Sequence, residues 1–297
     1  MNRHIKLGLI GQNIAHSLSP RLQTRLGEHL GYKVSFDLID CSRSELLIHL
    51  ENNLLQNYNG LNVTTPHKRL LYQLIDQSTD AARIIGAVNT LQYLNHKLIG
   101  HNTDYIGVNH TLQTHLVASQ LSGGHALIVG VGPASRAAAY ALILAGIKRI
   151  TWLSRQITKG RECLEWCTQY FPQLHSSWLG LDGQQLNYCH QDESVDLIIS
   201  GAPPLSTQAW SEISHQLHPF LGDMFGLNPH SSFFDLNYGE SRTDGSSKFS
   251  DINNLKYIDG THMLLTQGIA SFLWWNRLED SIELILSQCD LINKNDF

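Results

Sequence analysis

The feature that most constrains the fold is an uninterrupted apolar strand, ALIVG, which follows His125 and is itself followed by a glycine-rich turn and an alanine-rich stretch at 134–145. A strand with no polar alternation has both faces buried, which is typical of parallel sheets covered by helices on both sides. The stretch at 134–145 predicts the first of these helices, and residues 149–153 predict the next strand. The pattern therefore predicts an α/β unit that begins near residues 106–125.

The first third of the chain predicts another α/β unit, because short apolar runs alternate there with amphipathic segments. The predicted elements are strands at 5–10, 34–39 and 61–63, with helices at 19–30 and 44–55. This βαβαβ order predicts a mostly parallel sheet. A hairpin of strands 87–94 and 97–101 follows, with Asn95 and His96 as its turn.

The rest of the chain continues the second unit and ends in helices. We predict a helix around 161–170, a strand at 195–200, and two C-terminal helices at 263–275 and 280–292. The polar stretch 172–191 receives no assignment. At 297 residues the chain is longer than one ordinary hydrophobic core supports, so we predict two domains.

Composition excludes several classes of protein. Residues of the AVILMFWYC set make up 42% of the chain and charged residues 16%, which supports a buried core and excludes a disordered or coiled-coil chain. The formal charge of -5 argues against a general nucleic-acid binder, and no apolar run makes a membrane span. The N-terminus lacks a signal-peptide core, so we expect a cytoplasmic protein. We expect small-molecule partners rather than nucleic acid or membrane, and either a monomer or a homodimer.

The five cysteines are sparse and odd in number, so we expect reduced thiols rather than a disulfide framework. Cys163 and Cys167 lie one helical turn apart. No second Cys or His pair stands near them at zinc spacing, so we expect two thiols on a helix face and no metal site.

The turn after the 125–130 strand reads GVGPAS, a G-x-G-x-x-S pattern between a predicted strand and a predicted helix. Gly130 permits the tight turn, Gly132 lets a diphosphate approach the backbone, and the small Ser135 lets helix pack against strand. Pro133 and Ala134 open the helix, whose N-terminal amides favour an anion, although Pro133 itself has no N–H. We predict a dinucleotide site on these residues; an ordinary tight βα turn is the alternative.

The end of the next strand indicates which dinucleotide is preferred. NAD sites usually place Asp or Glu there, whereas this strand ends in Ser154 and Arg155, with Lys159 and Arg161 close behind. A planar guanidinium suits bidentate phosphate recognition. We therefore predict NADP, with NAD as the less favoured cofactor and a solvated basic helix start as the alternative.

Four polar clusters stand at the ends of apolar segments in the first unit, where strands deliver side chains to a cleft. They read HSLSP at 16–20, NVTTPHK at 62–68, GAVNT at 86–90 and HNTDYIG at 101–107. Taken singly, each has a structural explanation. Ser17 and Ser19 suit a helix cap, and Asn62 and Asn89 suit turns. Lys68 suits a solvated helix start and Asp104 an N-cap.

Taken together, and in this order, the clusters resemble the shikimate dehydrogenase family, including its shikimate/quinate dehydrogenase branch. The motif DGTHMLLTQ at 259–267 completes the set, so that the resemblance covers nearly the whole chain. It implies an N-terminal α/β substrate domain and a Rossmann-type doubly wound nucleotide domain with a cleft between them. We place the substrate domain at 1–105 plus 263–297 and the NADP-binding domain at 106–262.

The resemblance also implies roles for single residues. The family uses a Lys and Asp acid–base pair, here Lys68 and Asp104. Its substrate-binding positions correspond to Ser17, Ser19, Thr64, Asn89, Tyr238 and Gln267. Its cofactor-binding positions include Asp80, Leu236 and Gly260, in addition to the glycine-rich turn and the basic strand end. Several neutral donors suit a polyhydroxy acid, because a wrong substrate leaves buried groups unmatched.

The chain departs from the family pattern at Leu18, where the family has Lys, and at Pro133 and His262, where it has Gly. The loop at 200–204 reads SGAPP in place of an NATS-like sequence. Our leading hypothesis is an NADP-dependent enzyme that interconverts 3-dehydroshikimate and shikimate in aromatic amino acid biosynthesis. A quinate/shikimate paralogue using NAD or NADP, and a weakly active ligand-binding homologue, are the alternatives.

Overall fold

The computed structural model describes residues 3–181, 184–186, 194–213, 227–239, 244–289 and 291. The chain divides into two compact units, residues 1–107 with 264–297, and residues 108–263. Each unit is built on its own sheet, which confirms the predicted α/β class with two domains.

The first unit begins with alternating strands and helices, as the apolar pattern predicts. Its elements are β1 (Arg3–Gly11), α1 (Ser19–His29), β2 (Tyr32–Asp40), α2 (Arg43–Glu51), a 3-10 turn (Leu54–Asn57), β3 (Gly60–Val63), α3 (Lys68–Leu74), β4 (Gln77–Ser78), α4 (Asp80–Ile85), β5 (Thr90–Leu94), β6 (Lys97–His101) and the start of α5 (Asp104–His115). In the part of the chain that the structure describes, the sheet has the order β2-β1-β3-β5-β6-β4.

Strand direction in this sheet follows the predicted connections. β2, β1 and β3 are parallel, as the βαβαβ pattern predicts. The predicted hairpin is confirmed as β5 and β6, which turn at Asn95 and His96, both with positive φ. Because β5 is antiparallel to β3 as well, the sheet is mixed, and β3 and β6 run in the same direction.

Several short elements of this unit escape the sequence pattern. The structure adds α3, β4 and α4 at positions to which the sequence analysis assigns no element. α4 has no long apolar stripe but is capped by Thr79, whose hydroxyl accepts from the Ala82 amide, and ends at Gly86 with φ +72. α2 ends at Glu51 rather than at residue 55, because Asn53 adopts a left-handed conformation and a 3-10 turn follows.

The remaining chain of this unit contains α10 from residue 264 and α11; their full bounds are Thr261–Asn276 and Ile282–Gln288. The predicted last helix, 280–292, is therefore shorter, and part of that prediction lies outside the described residues. Ile269 and Phe272 of α10 join Leu7 of β1 with Leu22 and Leu26 of α1 in one buried cluster. This packing holds α10 in the core of the first unit.

The second unit continues α5 and adds α6 (Ala118–Leu121), β7 (His125–Val129), α7 (Pro133–Leu144), β8 (Arg149–Ser154), α8 (Ile157–Tyr170), β9 (His175–Gly180), β10 (Gln185–Leu186), β11 (Val195–Ser200), β12 (Leu227–Asp235), α9 (Asp244–Ile252) and β13 (Lys256–Ile258). Its sheet has the order β10-β9-β8-β7-β11-β12-β13 among the described strands. Apart from the antiparallel edge strand β10, neighbouring strands are parallel. Numbered from β7, the parallel strands have the order 3-2-1-4-5-6 of the Rossmann fold.

β9 lies in the polar stretch that the sequence analysis left unassigned. The sequence pattern does not reveal this strand, because its polar serines look like loop residues. In the structure, Ser177 takes part in a buried chain of hydrogen bonds across three strands. Ser177 Oγ lies 2.9 Å from Thr151 Oγ1, which lies 2.8 Å from His125 Nε2. A polar side chain with a buried partner is compatible with a central strand.

Cys163 and Cys167 lie on the buried face of α8, and burial raises the pKa of each thiol to about 11. Both therefore remain protonated near neutral pH. The described residues contain no group of three or more His, Cys, Asp or Glu arranged to hold a metal ion. None of the described helices combines the length and apolar character that crossing a bilayer requires.

Candidate active site

The first unit brings Lys68 and Asp104 together at one edge of its sheet. A short loop follows β3, and Lys68 is the first residue of the next helix, α3. Asp104 is the first residue of α5, which follows β6. Since β3 and β6 run in the same direction, their carboxyl ends lie at the same edge. Lys68 Nζ lies 2.7 Å from Asp104 Oδ2, and the side chains are only 15% and 5% exposed.

This geometry argues against the alternative of a solvated lysine at the start of α3. A solvated lysine would be exposed, whereas Lys68 is largely shielded and its ammonium group donates to a buried carboxylate. The backbone amide of Asp104 donates to Asn102 Oδ1 at 3.0 Å, which caps the start of α5. The Asp104 carboxylate accepts from side chains instead. A mutually hydrogen-bonded Lys–Asp pair is suited to holding and transferring a proton at a reacting oxygen.

Asn89 supports the pair from the residue before β5. Its Oδ1 accepts from the backbone amide of Thr103 at 2.7 Å, which fixes which end of the side-chain amide is the oxygen. The nitrogen then faces Asp104, and Nδ2 lies 2.8 Å from Oδ1. Asp104 Oδ2 thus accepts from the charged ammonium group of Lys68, and Asp104 Oδ1 accepts from the neutral amide of Asn89.

Gln267 reaches the same cluster from α10. Its Oε1 lies 3.2 Å from Asn89 Nδ2, and its own Nε2 donates to the Leu264 carbonyl at 3.0 Å. The structure therefore joins four of the sequence-predicted site residues, Lys68, Asp104, Asn89 and Gln267, in one contiguous hydrogen-bonded group.

Ser17 and Thr64 lie in the loops after β1 and β3, and Ser19 is the first residue of α1. These loops touch, because a Cβ on Gly11 would lie 2.5 Å from Thr64 Cγ2, and Gln12 N donates to Thr65 O. Ser17 Oγ accepts from the Ser19 amide at 3.2 Å at the start of α1, where Leu18 supplies no side-chain cap. Among the described hydrogen bonds, none joins either serine to Lys68 or Asp104.

His101 is a neighbour of the site that the sequence analysis did not single out. It is buried, its Nδ1 lies 2.8 Å from Thr79 Oγ1, and its ring packs against Trp274 with centroids 5.4 Å apart. Burial lowers the pKa of His101 to about 4, so the ring is neutral near pH 7. Its carbonyl accepts from the Asn89 amide, which ties the buried end of β6 to the site.

The glycine-rich turn of the second unit has the local conformation that the motif predicts. Gly130 has φ +102, and a Cβ there would lie 2.9 Å from the Ala202 amide nitrogen. Ser135 fits tightly, because a Cβ on Gly201 would lie 2.4 Å from Ser135 Oγ. A Cβ on Gly132, in contrast, would meet nothing within 4 Å. The turn is therefore sterically crowded at Gly130, whereas the space beside Gly132, at the start of α7, is open.

The turn lies where a Rossmann sheet binds its ligand, between the carboxyl ends of β7 and β11, at which the strand order reverses. α7 begins at Pro133 with Gly132 as its N-cap, so an anion placed there meets the helix N-terminus. Arg155 and Lys159 are exposed at the end of β8 and the start of α8, available to a phosphate. Ser154 Oγ accepts from Trp178 Nε1 at 2.9 Å. These features fit a phosphorylated dinucleotide.

The other predicted cofactor positions are distributed over both units. Leu236 and Gly260 are neighbours, since a Cβ on Gly260 would lie 2.6 Å from the Leu236 carbonyl, and Gly260 N donates to Asn237 O. Tyr238 is half-buried two residues beyond Leu236 in the same unit. Asp80 belongs to the first unit and is exposed at the start of α4, where it pairs with Arg83 at 2.9 Å.

His262, a departure from the family pattern, forms a histidine cluster with His110 and His115 of α5. His110 Nδ1 lies 3.0 Å from His262 Nε2, and the His115 and His262 rings meet with centroids 5.7 Å apart. Burial, reinforced by the nearby charges of His110 and His115, lowers the pKa of His262 to about 4. Asp259 opposes this shift but does not reverse it.

A Rossmann sheet with a glycine-rich turn, joined to a second α/β unit with a shielded Lys–Asp pair, defines the class of two-domain nicotinamide-dependent dehydrogenases. The family model for the shikimate dehydrogenase substrate binding domain matches residues 9–91. A shikimate dehydrogenase (NADP(+)) from Prochlorococcus marinus is 30% identical, over 94% of this chain and 94% of that protein. The chain belongs to the shikimate dehydrogenase family.

Further comparisons agree. A shikimate dehydrogenase (NADP(+)) from Shewanella halifaxensis is 28% identical, over 95% of this chain and 94% of that protein. The crystal structure of shikimate dehydrogenase from Aquifex aeolicus has a TM-score of 0.73 and 27% identity, covering 96% of this chain and 97% of that one.

Proposed function

We propose that this chain is an NADP-dependent shikimate dehydrogenase, an oxidoreductase that reversibly reduces 3-dehydroshikimate to shikimate. The observation that carries the proposal is the shielded Lys68–Asp104 pair, with Nζ and Oδ2 2.7 Å apart, on the substrate unit of a chain belonging to this family. The curated relatives carry the same activity and cofactor in their names.

Reduction of a ring ketone to a secondary alcohol adds a hydride to carbon and a proton to oxygen. NADPH supplies the hydride when it is bound. Lys68 donates a hydrogen bond to the carbonyl oxygen and stabilises the negative charge that develops there. The proton delivered to oxygen belongs to the coupled Lys68–Asp104 pair, and the reverse reaction returns it to the same pair.

The neutral groups around the pair suit a polyhydroxy acid. Asn89 and Gln267 meet beside Asp104, and we assign them to substrate hydroxyls, with Thr64 and Tyr238. Ser17, in the loop after β1, and Ser19, the first residue of α1, are assigned to the carboxylate. A substrate that lacks one of these hydroxyls leaves a donor unpaired, which penalises the wrong ligand.

The second unit supplies the residues for the cofactor. Gly130, Gly132, Pro133, Ala134 and Ser135 form the diphosphate turn. Arg155 and Lys159 are assigned to the 2′-phosphate, and this is what favours NADP over NAD. Ser154, Leu236, Gly260 and Asp80 complete the proposed cofactor positions.

The test is to mix the purified protein with shikimate and NADP+ and to follow formation of NADPH by its absorbance. We expect steady formation that requires both ligands. Binding of shikimate and NADP+ without turnover, with NAD and quinate also inert, would show a ligand-binding homologue instead. Turnover of quinate at a higher rate than shikimate would show the paralogue.

A further inference from the structure

Ser271 lies one helical turn beyond Gln267 on α10 and is fully buried. Its Oγ lies 2.8 Å from Thr90 Oγ1, 3.0 Å from Thr103 Oγ1 and 3.1 Å from Asn62 Nδ2. Neither the motifs of the sequence nor the proposed reaction assigns a role to this hydroxyl. It stands between two threonines that both contact the side chain of Asn89.

Atoms that can only accept or only donate set the direction of the hydrogen bonds in this group. Asn89 Oδ1 is only an acceptor, so the hydrogen in its 2.8 Å contact with Thr90 comes from the Thr90 hydroxyl. The 2.8 Å contact between Thr90 and Ser271 then takes its hydrogen from Ser271, which shares that hydrogen with the Gln267 carbonyl at 3.0 Å. The 3.0 Å contact between Ser271 and Thr103 takes its hydrogen from Thr103, for which it is the shortest acceptor contact, since Asn89 Oδ1 and Gln267 Oε1 lie at 3.2 and 3.4 Å.

The chain closes on Asn89, because Asn89 Nδ2 donates to Thr103 Oγ1 at 2.9 Å. The result is a ring in which every member donates to the next: Asn89, Thr103, Ser271, Thr90 and back to Asn89. We call it the Asn89 ring. The two acceptor sites of Ser271 are taken by Thr103 and Asn62, and its one hydrogen is shared between Thr90 and the Gln267 carbonyl, so its hydrogen-bonding capacity is filled.

We propose that Ser271 is a positioning residue for the Lys68–Asp104 pair, acting by closing the Asn89 ring. The ring fixes the side-chain amide of Asn89 with its nitrogen towards Asp104, where Nδ2 lies 2.8 Å from Oδ1. Hydrogen bonds that run in one direction polarise one another, so the ring strengthens this donor. The proposal rests on the proposed function only in taking Lys68 and Asp104 as the acid–base pair.

The kinetic test opens the ring at two places. Ser271→Ala and Thr90→Val each remove one ring hydroxyl without adding a polar group. We expect each to lower kcat about tenfold, the loss of one buried hydrogen bond, with the shikimate KM within about twofold. Because one opening already breaks the ring, the double variant should be no slower than the slower single variant.

Two matched variants control for packing. Thr90→Ser keeps the ring hydroxyl and should retain wild-type kcat. Ser250→Ala removes another buried serine hydroxyl, in the second unit, which has no hydrogen-bond partner among the described residues, and should also leave kcat unchanged. Unchanged kcat in both ring variants overturns the proposal. So does equal loss in Thr90→Ser and Thr90→Val, or losses that multiply in the double variant.

A measurement on the free protein separates this proposal from the proposed function. In a 1H–15N spectrum, with the Asn89 side-chain signals identified by their loss in Asn89→Ser, the NH2 hydrogens should exchange slowly with water. Ser271→Ala and Thr90→Val should speed that exchange. If the protein does not turn over shikimate but the Asn89 NH2 hydrogens exchange slowly, the proposed function is wrong and the Asn89 ring is supported. Fast exchange in the wild type refutes the ring, whatever the activity. If Ser271→Ala does not fold, the Thr90 variants decide both measurements.

Discussion

Lys68 donates to Asp104 over 2.7 Å inside the first unit, and the two side chains are 15% and 5% exposed. Surface ion pairs contribute little, because water competes for both partners. In this pair the surrounding protein has displaced most of that water, so removing one partner leaves the other shielded and unmatched. We therefore expect substitutions in this pair to act most strongly on the candidate site.

Lys68→Ala should lower kcat by about 10²- to 10⁴-fold, the usual contribution of general acid–base catalysis. Far-UV circular dichroism should stay unchanged, because Lys68 begins a helix and fills no core position. Lys97→Ala, at an exposed lysine at the start of β6, is the control and should behave like the wild type. Normal turnover by Lys68→Ala would show that the acid–base assignment is wrong.

Gly130→Ala and Gly132→Ala should separate folding from cofactor binding. Gly130 has φ +102 and no room for a Cβ, so Gly130→Ala should lower the melting temperature. A methyl on Gly132 meets no protein atom within 4 Å, so Gly132→Ala should melt like the wild type. Its methyl would instead occupy the face that a diphosphate approaches and raise the KM for NADP. An unchanged KM in a stable Gly132→Ala protein would place the diphosphate elsewhere.

Arg155→Gln should raise the KM for NADP by about tenfold or more while leaving the KM for NAD nearly unchanged, because only NADP carries the 2′-phosphate. Arg43→Gln, at an exposed arginine of α2, is the matched control for loss of a surface charge. Equal effects of Arg155→Gln on both cofactors would mean that Arg155 does not read the phosphate.

His262 should make stability depend on pH. Its pKa is lowered from 6.5 to about 4 in the folded protein, so the unfolded chain binds the proton more readily. This contribution to stability is present above pH 6.5 and is lost as the pH falls towards 4. His115 has a pKa lowered by burial and by Lys256 and acts in the same direction.

The variant His262→Gln keeps a polar side chain that cannot take up this proton. Its melting temperature should fall less than that of the wild type between about pH 7 and about pH 5. His175→Gln, at an exposed histidine of β9, should follow the wild type. Parallel melting curves for all three proteins would exclude His262 as a source of the pH dependence.

The sequence predicts the elements that carry an apolar run, an amphipathic pattern or a clear turn signal, but it assigns nothing to the nine-residue β12, which reads LNPHSSFFD. The apolar run at 125–130 becomes β7, and the Asn95–His96 pair makes the predicted hairpin turn. The sequence pattern also misses β9, in which Ser177 hydrogen-bonds to the buried Thr151, and the two-residue strand β4. Tertiary hydrogen bonds and strands of two residues leave no periodic pattern to read.

The site was predictable to the extent that its residues belong to motifs. Lys68, Asp104 and Asn89 stand in recognisable clusters, and the structure joins them with Gln267. Ser271 looks like one more small residue of an apolar helix. Only the distances to Thr90 and Thr103 reveal its place in the Asn89 ring.

The most direct test of the account is the ratio of kcat/KM values for shikimate and quinate, each measured with NADP and with NAD. The account predicts that shikimate with NADP is the best of the four pairs and that Lys68→Ala loses this activity. Faster turnover of quinate, or a preference for NAD, would contradict the assigned substrate or cofactor. Absence of turnover with all four pairs would contradict the proposed function.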